Sequence, residues 1–143
     1  MPAIHIFYED VSFRLKLIRN KKSWIKKVIE AEHKKLGVLN YIFCSDALLL
    51  KMNLEYLGHN TLTDIITFNN SQEETLIEGD IYISIERVRE NAHKFASGFE
   101  NELHRVMIHG VLHLLGYSDK TRAQKLAMRK KEDECLALGT KLH

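Results

Sequence analysis

Asp64-Ile-Ile-Thr-Phe68 and Asp80-Ile-Tyr-Ile-Ser84, separated by the polar run from Asn69 to Gly79, decide the fold class. Both pentapeptides are β-branched and aromatic, which suits a pleated, half-buried surface, so they predict two strands joined by a flexible loop. Upstream, Ile4, Phe7 and their neighbours predict a short strand, and Val38 to Cys44 predicts another. Between these, Lys16 to Leu36 carries Leu17, Trp24, Ile25, Val28 and Ile29 at roughly helical spacing, with Gly37 as the stop. Ser45 is placed to cap a helix running to about Leu57. Downstream, Ile85 to Ala96, Glu100 to Leu115 and Lys120 to Leu138 read as helices, with breaks at Gly98 and Gly116. This order predicts an α+β fold, a small mixed four-stranded sheet packed with about five helices. A chain of 143 residues, 45% of them hydrophobic, suits one core and hence one domain over residues 1–143.

Composition narrows the setting. The longest uncharged apolar stretches, such as Ala47 to Leu50 and Val111 to Leu115, fall far below the roughly 18 residues of a membrane span. The N-terminus, Met1-Pro2-Ala3-Ile4-His5, has neither a basic n-region nor an apolar h-region, so no secretion signal is expected. Cys44 and Cys135 stand far apart inside apolar patterns, which points away from a disulfide framework and towards a reducing cytoplasm. The net charge of +2 conceals an asymmetry: Arg14 to Lys35 holds nine Lys or Arg against two Glu, and Asp46 to Glu102 eleven acids against four bases. A basic block can be the footprint of a nucleic-acid or ribosome partner. A solvated helix face is the alternative reading.

The chemistry concentrates in His109-Gly-Val-Leu-His113-Leu-Leu-Gly116-Tyr-Ser-Asp119. Histidines four apart share one helical face, so both imidazoles can reach a common ion. Gly116 can adopt the left-handed conformation that ends the helix and turns the chain back, which makes Asp119 the candidate third ligand. The spacing is that of the zinc stretch of metzincin proteases, with Asp as the last ligand. The glutamate base of those proteases is replaced by Gly110, which has no side chain to accept a proton. The bland alternative makes His109 and His113 partly buried polar residues and Gly116 a simple cap. Arg105, four residues before His109, is the candidate to bind phosphate or stabilise developing charge. Pairing with Glu102 or Glu100 is its equally weighted alternative. His104 points about 140° away from His109 on the helical wheel and is left out of the ligand set. His59, just before Thr61 to Phe68, is able to face the cleft, and Asp64 and Asp80, each preceding a strand, are able to orient groups behind the ligands. An incidental loop histidine and loop-capping acids are the alternative, and none of the three is counted as catalytic.

The run His109-Gly-Val-Leu-His113-Leu-Leu-Gly-Tyr117 closely resembles the HGxLHLxGYDH signature of the YbeY family of bacterial endoribonucleases of ribosomal RNA maturation. Thr63-Asp-Ile-Ile-Thr-Phe68 is similar to that family's TDVLSF strand, Gly79-Asp-Ile-Tyr-Ile-Ser84 to its GDIxIS strand, and Asn53-Leu-Glu-Tyr56 to its LNxxYR helix end. Met128 and Glu132 suit its closing helix. Two positions depart: Asp119 stands where the family has its third histidine ligand, and Leu57 where it has an arginine. The resemblance implies ligation by His109 and His113; ligation by Asp119 rests on spacing and on the ability of carboxylates to complete a zinc site.

The resemblance implies a zinc-dependent, single-strand-preferring endoribonuclease acting in ribosomal RNA maturation and ribosome quality control. Three protein ligands leave a position for water, whose pKa the ion can lower towards roughly 7. Water-derived hydroxide and the RNA's own 2′-hydroxyl stay equally open as nucleophiles. The expected partners are precursor ribosomal RNA and the small ribosomal subunit or its proteins, without a membrane. Two other classes compete: a divergent zincin-like hydrolase or two-histidine, one-carboxylate iron enzyme, and a non-catalytic ribosome- or RNA-binding metalloprotein.

Overall fold

The computed structural model describes residues 1–139, so the last four residues of the expected 1–143 unit lie outside the described residues. In chain order the elements are β1 (Ala3–Tyr8), α1 (Ile18–Ala31), β2 (Lys35–Cys44), α2 (Asp46–Met52), a π-helical turn (Asn53–Leu57), β3 (Ile65–Asn69), β4 (Leu76–Ser84), α3 (Ile85–Lys94), α4 (Phe99–Leu114) and α5 (Arg122–Leu138). The strands form one mixed sheet in the order β1-β2-β4-β3, with β1, β2 and β4 parallel and β3 antiparallel to β4. The predicted α+β class and sheet size are those observed. No helix among the described residues is long and apolar enough to cross a membrane.

Alternation along the strands sorts the sheet's two faces. Leu39, Tyr41 and Phe43 of β2 and Ile77, Ile81 and Ile83 of β4 enter the main core, which α1, α3, α4 and α5 close. Ile66 of β3 joins Cys44, Leu49 and Met52 in a smaller cluster, with Phe68 and Tyr82 packed against it. Helix α4 runs through the centre of the main core, burying ten residues from Glu102 to Leu114. Position 110 presses on the sheet, since a Cβ there would meet Ile81 at 2.9 Å and Ile65 at 3.0 Å. The Tyr41 hydroxyl donates to the Met107 carbonyl at 2.8 Å, and the Trp24 indole of α1 donates to the Cys135 carbonyl of α5 at 2.9 Å. The first bond ties the helix bearing the histidines to the sheet, and the second ties α1 to α5.

Several boundaries differ from expectation. Helix α1 ends at Ala31 and not at Leu36, because His33 takes the left-handed conformation (φ 60°). Its two closing bonds are Lys34 N–H to the Ile29 carbonyl and His33 N–H to the Glu30 carbonyl. Gly37 is therefore no helix stop; it lies in β2 where the register with β4 shifts, and a Cβ would strike the Glu78 side chain. The polar run after Phe68 shortens because β4 begins at Leu76, where it pairs with Lys35. Ser45 caps α2 as expected, accepting from Leu48 N–H at 3.2 Å, but the α-helix stops at Met52 and a π-helical turn follows.

Candidate metal centre

Helix α4 delivers both histidines from its last turns, and the way it ends delivers the third group. Gly116 sits at φ 105°, and its N–H donates to the His113 carbonyl while Tyr117 N–H donates to the Leu112 carbonyl, both at 3.0 Å. This paired closure, with a left-handed glycine after the last helical residue, folds the chain back across its own end. Asp119 returns to the histidines as a result. The carboxylate Oδ2 lies 3.3 Å from His109 Nε2 and 3.4 Å from His113 Nε2, and the two Nε2 atoms are 2.9 Å apart.

These three atoms converge, and the chemistry of the set suits a divalent ion. Tetrahedral bonds of about 2.0–2.1 Å imply ligand–ligand edges of about 3.3–3.4 Å, which the two Asp119 separations match, while the 2.9 Å between the nitrogens is shorter. The other ring nitrogens are already engaged. His109 Nδ1 faces Glu132 Oε2 at 2.6 Å, and His113 Nδ1 faces the Tyr117 carbonyl at 3.1 Å. A carboxylate or carbonyl on Nδ1 holds the proton there and leaves Nε2 free to coordinate. His109, His113 and Asp119 are partly exposed, so the group is open on one side to solvent. Asp119 does not cap the following helix: Thr121 does, in a reciprocal pair with Gln124. His109, His113 and Asp119 are thus able to hold a metal ion.

The electrostatics follow from these contacts. Burial pulls the basicity of His109 down, but the Glu132 hydrogen bond and charge, together with Asp119, outweigh it and leave its pKa raised. Burial acts with the neighbouring His109 charge to hold His113 below its ordinary value. In Glu132 burial favours the neutral acid, yet hydrogen bonds from His109 and Arg105 keep its pKa low. Asp64, partly buried where β3 begins, is pushed up by burial against the opposing pull of His109.

Sequence reasoning missed Glu132 as a partner of the site. Its signal was an acid in the buried stripe Met128, Glu132 and Cys135 of α5, where an unpaired charge is not tolerated. The guanidinium of Arg105 meets Glu132 Oε1 at 2.9 Å and Asp133 Oδ1 at 2.7 Å, so its ion-pair partners come from α5 and not from Glu100 or Glu102. His104 lies apart, buried edge-on against Trp24. Asp80 accepts from Asn40 at 2.9 Å and Asn70 at 3.3 Å and so ties strands and loop together. His59 lines a cleft shared with His113. Lys21, counted in the basic block, is 1% exposed and bonded to the Lys16 carbonyl and Glu100, which leaves Lys26 and Lys27 exposed on α1.

Comparison with known proteins converges on one family. The family model described as endoribonuclease YbeY matches residues 8–139. Endoribonuclease YbeY of Flavobacterium psychrophilum is 53% identical over 132 residues, covering 92% of this chain and 94% of the relative. That of Christiangramia forsetii is 50% identical over 132 residues, 92% of each chain. The solution structure of TM1509 from Thermotoga maritima matches with a TM-score of 0.65 and 31% identity, covering 94% of this chain and 90% of that one. With the family model matching residues 8–139 and these relatives about half identical along nearly the whole length, the chain belongs to the endoribonuclease YbeY family.

Proposed function

We propose that the chain is a zinc-dependent endoribonuclease with a preference for single strands, acting on precursor ribosomal RNA in ribosome maturation and quality control. The observation that carries this reading is the convergence of His109 Nε2, His113 Nε2 and Asp119 Oδ2, with both Nδ1 atoms already held, in a chain whose relatives bear the name endoribonuclease. His109, His113 and Asp119 would hold a divalent ion, which when bound would supply Lewis acidity towards a phosphoryl oxygen and lower the pKa of water towards neutrality. The two-nitrogen, one-oxygen donor set suits zinc.

The protein's own groups prepare that chemistry. Glu132 orients the His109 ring, the Tyr117 carbonyl orients His113, and Arg105 anchors Glu132 from the opposite oxygen. We assign Arg105 first to this positioning role; contact with an RNA phosphate requires exchange of its exposed partner, Asp133. Gly110 supplies no base, which argues against peptide hydrolysis and in favour of a nucleophile drawn from water or from the RNA itself. The exposed cations of α1 provide a surface for phosphate of precursor RNA or of the small ribosomal subunit. Two buried free thiols, Cys44 and Cys135, suit a reducing cytoplasm.

The test is cleavage of matched single-stranded and duplex RNA by the purified protein, with and without a chelator. Cleavage of the single strand that a chelator abolishes and added zinc restores is the expected result. Chelator-insensitive cleavage, or none with zinc bound, would overturn the reading.

A further inference from the structure

Beside His113 opens a cleft of about 370 Å³, bounded by β3 and by the loop that precedes it. Thr61, Thr63 and Thr67 line it, with the Thr63 hydroxyl donating to the Ile65 carbonyl at 3.2 Å; Leu57 supplies an apolar wall, and His59 shares the lining with His113. No lysine or arginine is among its lining residues. An RNA strand that places a phosphodiester at the metal centre brings a full negative charge into this space, and that charge needs a donor. Arg105 is engaged by Glu132 and Asp133. Both nitrogens of His113 are also committed, Nδ1 to the Tyr117 carbonyl and Nε2 towards His109 and Asp119. His59 is then the side chain of the lining best placed to offer a ring N–H.

The loop is built to hold it there. Asn53, 3% exposed, donates through Nδ2 to the Thr61 carbonyl at 2.9 Å, and its own backbone carbonyl accepts from His59 N–H at 3.1 Å. One buried side chain and its backbone thus pin both flanks of the turn. Gly58, just before His59, takes the left-handed conformation (φ 69°), and its N–H donates to the Leu54 carbonyl at 3.2 Å. The backbone of His59 is fixed while the residue stays exposed. Leu57 and Leu62, 50% and 54% exposed, flank it and offer unstacked bases an apolar seat that bases within a duplex cannot occupy.

We propose that His59 hydrogen-bonds an RNA phosphate in the cleft beside His113 and is a substrate-contacting residue of the cleavage reaction. This rests on the endoribonuclease reading and adds to it where the strand runs and what grips it. In place of a lysine or arginine, the cleft uses one imidazole set among threonines and an apolar rim.

The experiment measures kcat/KM for a single-stranded oligoribonucleotide and zinc affinity in parallel, for wild type, His59→Ala, His59→Gln and His59→Arg. A hydrogen bond to a charged group implies that His59→Ala lowers kcat/KM about ten- to hundredfold. Zinc affinity is expected to stay at the wild-type value, and His59→Arg, which also donates to phosphate, to recover most of the loss. His59→Gln keeps a donor of similar reach and, with thermal unfolding as a control, carries the test if the alanine variant does not fold. Wild-type kcat/KM in His59→Ala, or a parallel fall in zinc affinity, would overturn the proposal. A zinc-loaded wild type that leaves RNA intact would count separately, against the endoribonuclease reading on which the proposal stands.

Discussion

Glu132 Oε2 lies 2.6 Å from His109 Nδ1, while the other oxygen of the same carboxylate is held by Arg105 at 2.9 Å. A side chain of α5 therefore sets the tautomer of a candidate metal ligand on α4. Glu132→Gln keeps the shape and removes the charge, and it is expected to weaken zinc binding about 10- to 100-fold without unfolding the protein. Competition with a metal-sensitive dye reads this directly. An affinity equal to wild type would remove Glu132 from the site.

The same pair predicts a pH signature in protein stripped of metal. Glu132 has a lowered pKa when folded, so its contribution is present above the ordinary glutamate value and is lost as pH falls through the folded one. His109 has a raised pKa, so its contribution is present below the ordinary histidine value and is lost as pH rises through the folded one. The pair therefore stabilises most in the window between the ordinary glutamate and histidine values. His113, held low by burial and by His109, acts in the opposite sense on acidification. Subtracting the Glu132→Gln profile from that of wild type isolates the pair. Denaturant midpoints across pH should show a difference that peaks in this window and shrinks on both sides. A flat difference would contradict the pairing.

Gly110 explains in packing terms why the site has no glutamate base. A side chain there is driven into Ile81 and Ile65 of the sheet, not towards solvent. For Gly110→Ala the crowding outweighs the better helix propensity, for a net loss of about 1 kcal/mol. Gly110→Glu buries a carboxylate without a partner and should cost at least about 4 kcal/mol. Thermal and denaturant unfolding of the two variants check both values; a stable Gly110→Glu protein would show that position 110 can reach solvent.

The exposed cations of α1 give a further expectation. Replacing the exposed Arg19, Lys26 and Lys27 with Gln should weaken RNA association most at low salt, and should make the salt slope shallower by about 0.7 for each phosphate that the protein no longer neutralises. Lys21 belongs outside this set, because it is buried against Glu100 and its replacement would act on stability. An unchanged slope would return the block to a solvated helix face.

Much of this arrangement is legible in the amino-acid sequence, and the rest is hidden there for definable reasons. The strands at Ile65 and Ile81, the helix carrying His109 and His113, and the Gly116 turn are local signals of period, composition and backbone freedom. The end of α1 falls before the glycine that would ordinarily mark it, because His33 adopts the left-handed closing conformation. Glu132 stands out in the sequence only as an acid in the buried stripe of α5; that its partner is His109, 23 residues away, follows only from the packing of α4 on α5. The lean of Arg105 towards α5 and the burial of Lys21 are tertiary facts of the same kind. Spacing alone points to Asp119, and Thr121, by capping α5, leaves its carboxylate free to face the histidines.

The decisive measurement is zinc stoichiometry and single-strand RNA cleavage on the same preparations of wild type, His109→Ala, His113→Ala and Asp119→Ala. Wild type should bind one ion per chain and cleave. Each histidine variant should lose tight binding and cleavage together while remaining folded, and Asp119→Ala should bind zinc more weakly at little cost in thermal stability. Cleavage at the wild-type rate by a folded, metal-free His113→Ala protein would contradict a metal centre built from His109, His113 and Asp119.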